Sequence, residues 1–165
     1  MTPEFSRIVN LARLPPEGRE VRLVANAAEC AALARRFGIL GVDRLEAILR
    51  LRPEPGGLAT IAGRLSAEVV QACVVTLEPV VQAVGDEVGL RVIAAGEPSS
   101  EDPEAPDEIE AEGDSIDLGE AMAEQLALAL DPYPRAAGAS LPGGEGEEPP
   151  PSGPFAGLAA LRKRG

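Results

Sequence analysis

The sequence predicts an α+β fold: an antiparallel β-sheet, as a meander or partly closed barrel, packed by two helices, with an acidic loop and a flexible C-terminal tail. Three observations carry that expectation. Residues 63–93 are rich in Val, as strands prefer, and successive strand-like runs are joined by short connections, which favours antiparallel pairing. Two other stretches show helical apolar spacing behind a capping signal. The acidic residues are concentrated in Gly- and Pro-containing segments that offer little to bury.

In chain order, residues 5–14 read as a strand, with Ile8, Val9 and Leu11 apolar, and Pro15, Pro16, Glu17 and Gly18 mark a turn. Residues 20–25 (EVRLVA) alternate apolar and polar side chains, as a half-buried strand does. Asn26 stands three residues before Glu29, a capping-box spacing. The helix 27–37 follows, with Cys30, Leu33, Ala34 and Phe37 on one face, Arg35 and Arg36 in its last turn, and Gly38 as its C-cap. Residues 45–51 (LEAILRL) fit a strand as well as a helix; a strand is favoured, because Pro53–Gly57 then forms a hairpin-like loop back into 58–65. The runs 67–76, 80–84 and 88–93 continue the meander.

Residues 96–113 hold eight acids with Pro and Ser and are expected as a mobile loop. Asp117 and Glu120 have the spacing of a second capping box, and the helix 118–130 places Leu118, Met122, Leu126 and Leu130 every fourth residue before Pro132 and Pro134 end it. Residues 136–153 are a Gly/Pro/Glu linker. Residues 155–164 form a short helix with Phe155, Leu158 and Leu161 as its apolar stripe and Arg162, Lys163 and Arg164 at its end. It is below the roughly 12 residues at which isolated helices become stable, so it is expected to order on a partner. The resulting division is a domain over 1–135 and a flexible extension over 136–165.

The charge is segregated. Residues 1–95 carry eleven Arg against eleven acids, residues 96–154 one Arg against sixteen acids, and residues 155–165 a net +3, for −12 overall. A net acidic chain repels a phosphate backbone at long range, which disfavours nonspecific nucleic-acid binding by the whole surface and favours a basic protein partner. The N-terminus MTPEFSRIVNL lacks the basic and apolar regions of a signal peptide, and no run reaches the roughly 18 apolar residues of a membrane span. With two cysteines, free thiols and a cytoplasmic location are expected, with no membrane partner.

The available chemistry is sparse. There is no His, which removes Ser–His–Asp and Cys–His arrangements and the commonest metal ligand. The only Lys is Lys163, and no Gly-rich phosphate loop follows a strand. Cys73 has neither a CxxC partner nor a His, so it reads as a small buried residue in a Val-rich strand, and Cys30 as core. Glu78, before Pro79, has no acid partner in sequence and reads as structural or solvated. Glu120 and Glu124 share a helix face, solvated by default and able to receive a basic partner. Arg22, Arg35, Arg36, Arg44, Arg50, Arg52 and Arg64 would contact RNA phosphates only if they converged on one face. No catalytic residue, metal ligand, cofactor or small-molecule substrate is assigned.

Several stretches carry a resemblance. QACVVTLEPV (71–80), IDLGEAMAEQLALALDPYPR (116–135) and PFAGLAALRKR (154–164) resemble the YceD family of large ribosomal RNA subunit accumulation proteins. FSR (5–7) and AECAALARRF (28–37) are similar to its alphaproteobacterial-type branch. The motif positions are Cys73, Leu77, Glu78, Pro79, Asp117, Gln125 and Pro132. Many members carry a C-x-x-C pair where this chain has Cys73 and Thr76, which takes a zinc or redox role of that pair away here. The resemblance implies a non-enzymatic ribosome-biogenesis factor that supports 23S rRNA synthesis, processing or stability. Its implied partner is a pre-ribosomal large-subunit component, a ribosomal protein or 23S rRNA. The expected contact residues are Arg22, Arg35, Arg36, Glu120, Glu124, Phe155, Leu158, Leu161 and Arg162–Arg164. The alternatives are an acidic interaction module for a basic partner unrelated to ribosomes, direct RNA binding through an Arg face, and a small Cys73-dependent enzyme.

Overall fold

A computed structural model describes residues 2–55 and 58–140. Strands β2 (Arg19–Val24), β3 (Gly41–Pro53), β4 (Ala59–Ala72), β5 (Pro79–Ala94) and β6 (Asp107–Ala111) lie side by side in that order. The first four pair antiparallel, and β6 joins β5 in parallel. The sheet is open rather than closed into a barrel. Strands β1 (Ile8–Asn10) and β7 (Ser115–Asp117) make a separate antiparallel pair, and the helices are α1 (Ala27–Phe37) and α2 (Leu118–Ala129).

The two-residue period of a strand sends alternate side chains to opposite faces, so residue order fixes which face is core. Past its bulge β3 buries Leu45, Ala47, Leu49 and Leu51 on this face; β4 contributes Ala59, Ile61, Leu65, Ala67 and Val69, and β5 Val88, Leu90 and Val92. Both helices cover this face. Cys30, Leu33 and Ala34 of α1 and Leu118, Ala121, Met122, Ala123 and Leu126 of α2 join the same aliphatic cluster. Fully burying a Leu or Val contributes about 1.5–3 kcal/mol, so this cluster is what holds the layers together. Gly63 lets β3 come close: a Cβ there would lie 2.0 Å from the Ile48 carbonyl oxygen and 2.9 Å from the Leu49 Cα. A bulge between Val42 and Arg44 resets the β3 register near its start.

Helix α1 begins as its spacing predicts. The Asn26 side chain accepts from the Glu29 N–H at 2.9 Å, and the Glu29 carboxylate accepts from the Asn26 N–H at 2.8 Å. Gly38 closes it in the left-handed conformation. At α2 only half of the expected box forms. The Asp117 carboxylate accepts from Gly119 and Glu120 N–H, while Glu120 turns to Arg36 instead of back to its own cap.

Four sequence expectations change. The strand over 5–14 shortens to Ile8–Asn10 and continues as a 3-10 turn, Leu11–Arg13, because only three residues find a partner on β7. The runs 58–65 and 67–76 form one strand that ends at Ala72, with Ser66 paired between Glu46 and Gly85. The runs 80–84 and 88–93 also merge: Gly85, Asp86 and Glu87 look like a break, yet they pair with Ser66, Leu65 and Arg64. The acidic stretch 96–113 contains β6, whose Ala111 is buried against the sheet. In the last two cases, pairing along an existing strand overrides weak local propensity.

Candidate functional site

The family-like residues 71–80 cover the end of β4 and the turn into β5. Cys73 is fully buried but lies beyond the strand end and outside the aliphatic cluster. Its Sγ accepts backbone N–H bonds from Val75 and Thr76 at 3.4 Å each and from Ala136 at 3.3 Å. This corrects the reading of Cys73 as apolar filling in a strand. The Ala136 N–H foremost, then the Thr76 hydroxyl and N–H and the Val75 N–H, hold the thiol down to about 6 against the cost of burial. The three N–H donors favour the thiolate form of this sulfur. Cys30 behaves oppositely: burial pushes its thiol up, as expected for a core cysteine.

The turn is fastened to the segment that follows α2. The Val74 N–H donates to the Pro134 carbonyl at 2.9 Å, and the buried Gln71 donates its Nε2–H to the Asp131 carbonyl at 2.9 Å. Within the turn, the Cys73 N–H donates to the Glu78 carbonyl and the Leu77 N–H to the Cys73 carbonyl. Leu77 has φ of 62° and is 77% exposed, so a branched apolar side chain is held outward in a left-handed conformation. That conformation costs a non-glycine residue about 1–2 kcal/mol. Val74 and Tyr133 are exposed as well. Sequence reading missed Gln71, Pro134 and Ala136 because their roles arise from contacts across some sixty residues; the signal within reach was the pair of prolines, Pro79 and Pro134, flanking the two segments.

The FSR stretch ties the N-terminal arm to both helix starts. Phe5 is buried, and the Arg7 guanidinium sits 4.7 Å over its ring. Arg7 donates to both carboxylate oxygens of Glu29 at 2.8 and 3.0 Å, and its N–H and the Ser6 hydroxyl donate to Asp117. This side-chain bond from Arg7 holds the Glu29 carboxyl below its usual range. Asp117 is thus an inter-element cap. Arg36 reaches Glu120 at 2.7 Å and Glu4 at 3.2 Å, so two residues expected at a partner surface bind each other.

The remaining arginines do converge. By strand parity and register, Arg22, Arg44, Arg50, Arg52 and Arg64 share the uncovered face of the sheet with Arg91, while Arg35 is exposed on α1. The face is mixed in sign. Arg22 pairs with Glu46 at 3.0 Å, Arg64 with Glu87 at 3.2 Å, and Arg91 with Glu54 and Glu108 at 2.9 and 3.4 Å. Glu78, Pro79, Glu124 and Pro132 are exposed, and Gln125 is half-buried. Phe155, Leu158, Leu161, Arg162, Lys163 and Arg164 lie outside the described residues. Among the described residues no group of three or more Cys, Asp or Glu is placed to hold a metal ion, and no helix is long and apolar enough to cross a membrane.

Among the described residues, an open sheet with two helices on one face and a charged second face defines an α+β protein. The chain belongs to the YceD family: its model, described as "Large ribosomal RNA subunit accumulation protein YceD", matches residues 61–162. That stretch takes in β4 from Ile61 on, β5, the turn with Cys73 and α2; the similar stretches 5–7 and 28–37 lie before it. No curated protein and no solved structure matches the chain.

Proposed function

We propose that this protein is a non-enzymatic, cytoplasmic factor of large-subunit assembly, supporting 23S rRNA synthesis, processing or stability by binding a pre-ribosomal component. The family, whose description ties it to accumulation of large-subunit ribosomal RNA, supports the process. The observation that carries the mode of action is the charge distribution. The sheet's arginines are interleaved with glutamates and several are already paired, while the chain as a whole carries −12. Such a surface favours a basic protein, a ribosomal protein in the first instance, over direct grip on a phosphate backbone.

We also propose that the folded domain extends a little past residue 135, because Ala136 is bonded to Cys73, and that residues 155–164 act as a separate basic contact element. Truncating 155–165 is expected to leave the melting temperature unchanged and weaken partner binding. A sharp fall in melting temperature would place that segment in the core instead.

The test is co-sedimentation of the protein with large-subunit precursors, together with 23S rRNA levels in a deletion strain. Presence in the precursor fractions and reduced 23S rRNA are expected; absence from them with unchanged rRNA overturns the reading. Direct RNA binding has one observation in its favour, the convergence of Arg44, Arg50 and Arg52 on the uncovered face. That reading requires an RNA affinity that falls steeply with salt.

A further inference from the structure

Strand β5 is much longer than the strand that covers its outer edge. Strand β4 pairs with it from Pro79 to Val92, but β6 meets it only from Leu90 to Ala94. Among the described residues, the edge from Pro79 to Gly89 has no backbone partner on that side. In an antiparallel strand alternate residues point both N–H and C=O to the same side, so this edge offers a row of unused donors and acceptors. Natural edges are usually short, bulged or covered. This one is long, and no bulge interrupts its pairing with β4.

A groove of about 390 Å³ runs along the free edge, lined by Gln82, Ala83, Val84 and Gly85 on β5 and by Ala129 and Asp131 at the end of α2. Ala83 and Gly85 carry little or no side chain, which leaves the backbone open to an approaching chain. Val80 and Val84 are half-buried and provide apolar contact. Acids bracket the edge. Glu78 precedes it, Asp131 lies in the groove at 3.4 Å from Gln82, Asp86 lies within it, and Asp107 is in register with Leu90, next beyond its far end. Glu87 also points from this strand but is engaged by Arg64.

We propose that the β5 edge over residues 79–89 is a strand-addition site for an extended basic segment of a partner protein, in which aliphatic residues alternate with Arg or Lys. Backbone bonds to β5 supply the affinity, and the bracketing carboxylates select the basic sequence. The partner's basic character rests on the reading given under the proposed function; the free edge and its groove do not.

The test uses the full chain and three short synthetic peptides: alternating Arg–Val, alternating Glu–Val, and an Arg–Val peptide interrupted by prolines. The Arg–Val peptide is expected to bind and to slow amide hydrogen exchange at alternate residues within 79–89. The acidic and the proline-interrupted peptides are expected to bind at least about tenfold more weakly. Equal binding of the interrupted peptide, or no protection in 79–89, overturns the proposal. Ala83→Pro and Val84→Pro serve as paired variants, because neighbouring residues point their N–H to opposite sides. One breaks the β4 ladder; the other keeps a cooperative unfolding transition and is expected to lose the Arg–Val peptide. Concentration-dependent protection in the free protein would assign the edge to a second copy, and protection lost on deleting 141–165 would assign it to the chain's own tail; either result overturns the proposal. If the folded proline variant still co-sediments with precursors, the edge proposal fails and the functional reading stands. If the wild-type chain binds the peptide but never co-sediments, the reverse holds.

Discussion

The two ends of β5 are built on different physics. From Leu90 to Val92 the strand is paired on both sides, Ile93 and Ala94 continue the pairing with β6, and Leu90, Val92 and Ile93 are buried. Among the described residues, Pro79 to Gly89 is paired on one side only, and most of its inward side chains are half-buried. At that end the fold is fastened by hydrogen bonds instead: Gln71 to Asp131, Val74 to Pro134, and three N–H groups on the Cys73 sulfur. Burial is non-directional and tolerates small shifts, whereas a bonded clamp depends on protonation and geometry. One strand thus joins a stable end to an end suited to contact.

The largest effect should separate the two ends directly. Leu90→Ala is expected to cost about 3 kcal/mol in denaturant unfolding, as buried Leu truncations do. Val84→Ala, at a half-buried site, should cost about 1 kcal/mol or less. Equal losses would erase the contrast.

The second effect is a pH dependence confined to the clamp. The folded Cys73 thiol titrates at about 6, below the ordinary thiol value of 9.0. Between these values the unfolded chain binds more protons than the folded one, so stability rises with pH from about 6 to 9. The gain is lost as pH falls through the folded value. Cys73→Ala should flatten this slope and speed exchange of the Ala136 amide, with Leu90 unaffected. An unchanged slope would show that the sulfur does not act as a thiolate acceptor.

Smaller still is the strain at the tip. Leu77→Gly removes the left-handed penalty and is expected to stabilise the fold by up to about 1 kcal/mol, seen as a higher melting temperature. If it also weakens precursor association, the strained side chain is held outward for contact. The least effect belongs to the sheet's exposed face. Arg64→Ala should change stability by no more than about 0.5 kcal/mol, because its pair with Glu87 is largely solvated and screened.

Much of the fold was legible. Helix α1 matches its spacing from Asn26 to Gly38, and the aliphatic stripe of α2 is buried at Leu118, Met122 and Leu126. The meander was legible in kind but not in its breaks. Gly85–Glu87 resembles a turn in composition, and only the neighbouring β4 makes it strand. Strand β6 was hidden because three of the five residues of DEIEA are acids, and its single buried residue, Ala111, is a weak signal. The candidate site was less legible. The resemblance marked Cys73 and Asp117, but Ala136, Ser6 and Arg7, which bind them, lie across the chain.

What the sequence determined by itself is the local and compositional part: helix starts, strand-forming runs, segregated charge, the absence of histidine and the family. Periodicity, capping and composition act over a few residues or over the whole chain, and both are readable without coordinates. Only the tertiary structure decided which polar groups meet. It paired Arg36 with Glu120, gathered the sheet's arginines among glutamates, and surrounded the Cys73 sulfur with backbone N–H groups. It also left the β5 edge without a partner strand among the described residues where β6 stops. Backbone hydrogen bonds carry no side-chain signature, so the partners of Cys73 and the free edge emerge only when the chain has folded.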